Sequence, residues 1–198
     1  MKDVLVAAAS VVGASVAVRG LNTWNRQLKG GAEYELARRI LKVTYRLRDA
    51  IKGVRHPVMW PEEMVMPAEG AAAKISDDEV SFDGTSRAYD SRWQKVADLR
   101  TELQTELLEA EVLWGNELGK RFQALYKLEH ELMIAIRSWL ILRDPKASEA
   151  QKNAVQKHQA AARDIMYDEL SEEGDKFTKD VVCAIGPIEE YLKPHLRR

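Results

Sequence analysis

The sequence contains few of the residues that cross-link a chain or interrupt its secondary structure. It contains one cysteine, Cys183, which excludes an intrachain disulfide. Glycine and proline number only 11 and 6 among 198 residues, which excludes collagen-like and low-complexity chains. The net charge is −1, so no overall excess of one sign points to a nucleic-acid partner. Because Cys183 lies in an apolar run, the sequence predicts a buried, unreactive thiol.

Motifs that carry known chemistry are also missing from the sequence. There is no Glu-x-x-His pair, no H-E-x-x-H and no cysteine–histidine cluster of the kind that binds metal. There is no phosphate-binding glycine motif and no G-x-S-x-G elbow for a nucleophilic serine. The four histidines are scattered along the chain. The sequence therefore predicts no enzyme activity, no metal site and no cofactor.

What the sequence does contain is helical periodicity along most of its length. Apolar residues recur every three or four positions, and no stretch alternates with a period of two. This pattern predicts an all-α protein, an elongated antiparallel helical bundle with one long central helix. We expect helices over residues 3–28, 32–54, 87–142 and 148–170, and a last helix from Ser171 that breaks at Gly186-Pro187. Gly115 and Gly119 are the weak point of the long helix, whose free end would suit a coiled-coil dimer.

Residues 57–85 interrupt the helical pattern with three prolines and two glycines. They predict a long acidic loop inside a bundle domain of residues 29–198, which follows an amino-terminal hydrophobic helix over residues 1–28.

The uncharged run from Val4 to Val18 permits three interpretations: a transmembrane anchor, a cleaved export signal or a buried helix of a soluble protein. We favour the anchor, because Arg19 can snorkel and Trp24 would then lie at interfacial depth. The basic residues follow the run rather than precede it, which predicts an outside amino terminus and a cytoplasmic body. Small residues spaced by four, which are Ala9, Gly13 and Ala17, form a face through which such helices can oligomerise.

Charge is distributed unevenly after this run. Residues 19–56 hold ten Lys or Arg against three Asp or Glu, and residues 57–83 hold one against seven. The basic positions on the second helix are Arg38, Arg39, Lys42, Arg46, Arg48, Lys52 and Arg55. They are interpreted as a solvated helix surface, as a surface for anionic lipid just below the anchor, or as a site for a phosphate-rich partner such as nucleic acid. Aromatic residues do not interleave with them, which makes nucleic acid the weakest of the three.

The stretch "HPVMWPEEMVM" places Met59, Trp60, Met64 and Met66 among prolines. These side chains either pack onto the bundle or form a docking patch for a protein partner.

Residues 21–57 resemble uncharacterised bacterial membrane-associated helical proteins that carry a short amino-terminal hydrophobic helix. The resemblance rests on Thr23-Trp24, Gln27 to Gly30, Tyr34 to Arg39, Leu47 to Asp49, and Arg55. It implies a bacterial, membrane-associated protein and no catalytic residue. Together with the predicted anchor, this gives an expected location in the bacterial inner membrane with a single span.

Together these patterns predict a membrane-tethered helical interaction or scaffold protein. Two alternatives stay open, namely an oligomeric membrane-perturbing effector of stress or phage defence, and a soluble helical bundle that binds nucleic acid.

Overall fold

The described part of the chain folds into helices joined by irregular segments. A computed structural model describes residues 29–64, 77–159, 162–169 and 174–196, and no β-strand occurs within them. The helices are α1 (29–54), α2 (Asp77–Trp114), α3 (Glu117–Arg121), α4 (Gln123–Arg143), α5 (Glu149–Gln159) and α6 (Lys176–Leu192), with one 3₁₀ turn at Pro61–Glu63. The prediction of an all-α protein is confirmed.

Cross-helix pairs give the directions of the helices. Arg39 of α1 reaches Glu106 of α2, whereas Arg46, further along α1, reaches Glu102, so the two helices are antiparallel. Tyr45 of α1 bonds Glu189 near the end of α6, whereas Arg55, just after α1, bonds Thr178 near the start of α6, so these two helices are antiparallel as well.

A further long helix, α4, packs between α2 and α6 and completes the bundle. Tyr89 of α2 meets Trp139 of α4 edge-on at 5.5 Å between ring centroids, and Arg100 lies 3.3 Å from Glu129. The four long helices α1, α2, α4 and α6 therefore form an up-down-up-down bundle, in which α5 packs outside α4.

The predicted apolar stripes form the core of this bundle. Each residue of the α1 stripe is buried, as is each residue of the α6 stripe. These residues are Leu36, Ile40, Val43, Leu47, Ile51 and Val54 on α1, and Phe177, Val181, Ile185, Ile188 and Leu192 on α6. Burial of an aliphatic or aromatic side chain of this size contributes roughly 1.5–3 kcal/mol, so the stripes account for much of the stability.

The prediction of one long central helix over residues 87–142 is wrong. The helix ends at Trp114, where Gly115 adopts a left-handed φ of 76° and donates its N–H to Glu111. The chain then turns through α3 and returns as α4 beside α2. Folding back buries the two halves of the stripe against each other, and within the described residues it leaves no extended free end for a coiled coil.

Other helix boundaries also differ from those predicted. α2 begins at Asp77, inside the predicted 57–85 loop, and α5 ends at Gln159, so that residues 162–169 are not helical. α6 continues through Pro187, which is exposed, and the neighbouring Ile185 and Ile188 stay in the core. Cys183 lies on the outer side of α6 and is exposed, which corrects the prediction of a buried thiol.

The two ends of the bundle are distinct. We call one the Gly115 end, where the described part of α1 starts, α2 turns into α3 and α6 finishes. We call the other the Arg55 end, where α1 gives way to the 56–64 segment and where residues 162–169 meet the start of α6.

Candidate interaction surface

The basic residues of α1 that face α2 are paired within the chain. Arg46 makes two hydrogen bonds of 2.9 Å to the carboxylate of Glu102. Arg39 donates to Glu106 at 2.9 Å and to Glu109 at 2.6 Å, and its hydrogen bond to Glu106 contributes most to raising the pKa of Arg39. These pairs hold α1 against α2. They neutralise two of the basic residues that were predicted as a possible surface for lipid or nucleic acid.

The other exposed basic residues of α1 are held less firmly by ion pairs. Arg38 and Arg48 pair with acidic neighbours on α1 itself, and Lys52 lies 3.9 Å from the carboxylate of Asp168. Lys42 is exposed. Exposed pairs of this kind contribute about 0–1 kcal/mol each, so these four residues still present a basic surface to solvent.

Arg55, the last of the predicted basic residues, is buried with only 1% of its surface exposed. Its guanidinium donates to the backbone carbonyls of Ile165 and Tyr167, to the Thr178 hydroxyl, and to the carboxylate of Asp175. It therefore joins α1, the 162–169 segment and α6 at one point, and it is not available to a lipid or a partner.

The electrostatics of this cluster favour an ionised Asp175. Partial burial opposes the charge, but hydrogen bonds from Arg55 and from the backbone N–H of Thr178 outweigh it. The pKa of Asp175 is lowered to about 2 as a result. Asp175 also caps the first turn of α6, while Gly174 before it adopts a left-handed φ of 68° close to the Thr178 side chain.

A second buried arginine holds the 56–64 segment. Arg92 of α2 donates to the backbone carbonyls of His56 at 2.7 Å and Val58 at 2.6 Å, and to the carboxylate of Glu63 at 2.9 Å. Arginine is suited to this task, because its planar fork presents several donors in fixed directions. The irregular segment is thereby fixed on α2.

Trp60 projects from this fixed segment with 59% of its surface exposed, and Val58 beside it is also exposed. Trp60 borders a half-open groove of about 380 Å³ between α1 and α2, whose lining includes Asp49, Gly53 and Lys95. An exposed tryptophan on a rigid backbone beside a groove is the type of residue that anchors protein interfaces.

The methionines near Trp60 behave differently. Met59 is partly buried against the core, and Met64 packs on α2 at Gly84, where the space left by the missing side chain receives it. Met66 lies outside the described residues. Of the four residues predicted as either packing or docking groups, Trp60 is thus exposed, whereas Met59 and Met64 pack against the bundle.

A cavity of about 600 Å³ lies between α4, α5 and residues 162–167. Its apolar lining includes Trp139, Ile165 and Met166. Glu131 and Arg163 also line it, but they already pair with each other at 2.7 Å. Among the described residues no group of three metal-ligating side chains comes together.

The predicted anchor and oligomer residues Ala9, Gly13, Ala17 and Trp24 lie outside the described residues. Within the ranges that the structure covers, each helix is too short or too polar to cross a membrane.

Comparison with known proteins assigns no relative, since no family, no curated protein and no solved structure matches the chain.

Sequence reasoning missed the part that Arg92 plays, although a signal was present. Arg92 occupies a stripe position, three residues after buried Tyr89 and four before buried Val96. Arg55 likewise follows Ile51 by four on the buried face of α1. An arginine in register with an apolar stripe indicates a buried donor that binds backbone from a neighbouring segment.

Proposed function

We propose that this protein is a membrane-tethered helical adaptor without catalytic activity, held to a bilayer by its amino-terminal segment and docked to a protein partner through Trp60. The observation that carries the docking half is the exposed Trp60 on a segment that Arg92 fixes to α2.

The tether is supported by the sequence that leads into α1. Val4 to Val18 contain no charged residue, and Arg19, Arg26 and Lys29 follow them. A run of this length is short for a span of about 20 residues, but local thinning of the bilayer accommodates such a mismatch at modest cost.

The position of Trp60 supports separate sites for tether and partner. The described part of α1 is 26 residues long, from 29 to 54, which is roughly 39 Å at 1.5 Å per residue. Residues 1–28 join the bundle at the start of α1, whereas Trp60 follows its end. A partner bound at Trp60 would therefore sit well away from the tether.

The ion pairs of α1 support a protein partner over a nucleic acid. Arg39 and Arg46 are occupied by carboxylates of α2, and Arg55 is buried. A phosphate backbone would have to compete with these internal acids, and the affinity of nucleic-acid complexes depends on the number of phosphates neutralised.

The test combines cell fractionation with photo-crosslinking of the full chain. We expect the protein in the membrane fraction, and a photo-reactive residue at position 58 should capture one partner. Trp60→Ala should weaken that capture at least roughly tenfold, because a central tryptophan carries a large share of interface energy. Val182→Ala, which truncates an exposed apolar residue on α6, is the matched control and should leave capture unchanged.

Two results would contradict the proposal. Recovery of the full chain in the soluble fraction would show that the protein is not tethered to a membrane. Equal capture by wild type and Trp60→Ala would show that the partner does not dock through Trp60.

A further inference from the structure

The cavity of about 600 Å³ between α4, α5 and residues 162–167 has no part in the proposed docking function. We call it the α4–α5 cavity. Its volume lies within the range of clefts that bind small molecules, which is about 300–1,000 Å³. Ile134, which is 49% exposed, adds to the apolar wall formed by Trp139, Ile165 and Met166. A molecule that covers this wall would remove apolar surface from water, which is favourable.

Small side chains and a polar helix leave the space open. α4 contributes the small residues Ala135 and Ser138 to the wall. α5 lines the cavity with the polar residues Gln156, His158 and Gln159, and none of the residues of α5 is buried. A helix that packs on a bundle usually turns an apolar stripe inward. The polar lining from α5 therefore suits a space that holds a ligand better than a space closed by packing.

The wall opposite α5 is held in place by hydrogen bonds within the chain. The buried guanidinium of Arg55 donates to the backbone carbonyl of Ile165 at 2.7 Å and to that of Tyr167 at 2.8 Å. Arg163 ties the same segment to α4, because it donates to the two carboxylate oxygens of Glu131 at 2.7 and 2.8 Å. A wall fixed in this way loses little further freedom when a ligand binds.

The charged groups around the cavity are already engaged. Arg163, besides binding both oxygens of Glu131, donates to the carboxylate of Asp180 at 2.5 Å. An anionic ligand would have to displace one of these carboxylates. Asp164 is exposed and accepts the backbone N–H of Met166, so its charge is largely screened by water. The charges therefore favour an uncharged ligand.

Neutral polar groups and aromatic rings complete the lining. The side chains of Ser138, Gln156 and Gln159 line the cavity and make no hydrogen bond to another described residue. Each of them can donate to an acceptor atom of a ligand. The rings of Trp139 and Tyr167 lie on the apolar side, and aromatic side chains pack well against other rings.

We propose that the α4–α5 cavity binds an uncharged, ring-containing small molecule that carries a hydrogen-bonding oxygen. The rings lie against Trp139 and Met166, and the oxygen accepts a hydrogen bond from the Ser138 hydroxyl or from a glutamine amide of α5. The cavity shares no lining residue with the groove beside Trp60, so the proposal does not rest on the tether or on the docking site.

The test is photolabelling of the full chain with benzophenone, which is uncharged, contains aromatic rings and carries a single carbonyl oxygen. On irradiation it bonds to carbon atoms of side chains beside it. Met166 is the reporter, because it is buried and lines the cavity. Met59, which is partly buried elsewhere on the bundle, is the internal reference. We expect mass spectrometry of the peptides to find several-fold more label on Met166 than on Met59.

Two substitutions fill the cavity, and a third is their matched control. Ala135→Phe and Ser138→Phe each place a ring in the space, so each should reduce the label on Met166 several-fold. Ala124→Phe adds the same ring to an exposed position of α4 and should leave the label unchanged. Circular dichroism checks that each variant stays folded. The comparison of Met166 with Met59 in the wild-type protein decides the proposal even where a variant fails to fold.

Three results would overturn the proposal. Equal label on Met166 and Met59 in the wild-type protein would show that the cavity does not concentrate the probe. Unchanged label on Met166 in the folded cavity-filling variants would show that the probe reaches this residue from another side. Stronger labelling of Met166 by benzoylbenzoate, the anionic analogue of the probe, would show that Arg163 accepts an anion and that the ligand is not uncharged.

Discussion

The two ends of the bundle are built from different interactions. At the Arg55 end, two buried arginines bind carbonyls of irregular segments, because residues 56–64 and 162–169 lack helical partners for their backbone. At the Gly115 end, a short turn with one left-handed glycine joins α2 to α3, and aromatic rings stack around His195. The comparison shows that long irregular connections are fixed by charged donors, whereas a short turn needs only the backbone freedom of glycine.

Removal of Arg55 should have the largest effect on stability. Arg55→Ala removes the buried arginine that binds Asp175 and two backbone carbonyls, so the free energy of unfolding should fall by about 3–5 kcal/mol. Chemical denaturation followed by circular dichroism measures this. Arg46→Ala, which breaks an exposed pair between α1 and α2, is the control and should cost less than about 1 kcal/mol. Equal effects of the two variants would contradict the distinction between buried and exposed arginines.

Removal of Arg92 should have a smaller and more local effect. Arg92→Ala takes three hydrogen bonds from the 56–64 segment, and we expect a loss of about 2–3 kcal/mol. Amide hydrogen exchange should rise in residues 56–64 and stay unchanged in residues 174–192. Unchanged protection in residues 56–64 would show that Met59 and Met64 hold the segment without Arg92.

The Arg55 end should also respond to acid. The pKa of Asp175 is lowered to about 2 in the folded state, so its stabilising contribution is complete above the unfolded value of about 4 and is lost as pH falls toward 2. The loss should approach about 2 kcal/mol over this interval. Unfolding free energies of wild type and Asp175→Asn should therefore converge as the pH falls from 4 to 2. Parallel curves of unfolding free energy against pH in this range would contradict the assignment of the acid-sensitive stability to Asp175.

The Gly115 end should show the smallest effect. Gly115→Ala places a side chain on a backbone with φ of 76°, which should cost about 1 kcal/mol. Gly119→Ala is the matched control, because Gly119 is helical and its added methyl group would meet open space. That variant should be neutral or stabilising by up to about 1 kcal/mol. A thermal unfolding series of both variants measures the difference, and equal melting temperatures would show that Gly115 does not require its left-handed conformation.

The candidate interaction surface was only partly predictable from the sequence. Trp60 stood out among prolines, but nothing local distinguished it from Met59 and Met64, which pack inward. The basic residues of α1 were recognisable as a set, yet the partners of Arg39 and Arg46 lie on α2, at least 56 positions away along the chain. Propensity and periodicity describe neighbours within a few turns, and they carry no information on which distant acid will face an arginine.

The sequence by itself determined the helical class and the buried faces, because a period of three to four residues places the same side chains inward whatever the helix packs against. Only the tertiary structure decided that the stripe from Trp93 to Trp139 folds back at Gly115. A straight helix and a hairpin share the same periodicity, and the hairpin prevails because it buries both halves of the stripe in one core. The tertiary structure also decided that Arg55 and Arg92 are buried, since their partners come together only when the four helices pack.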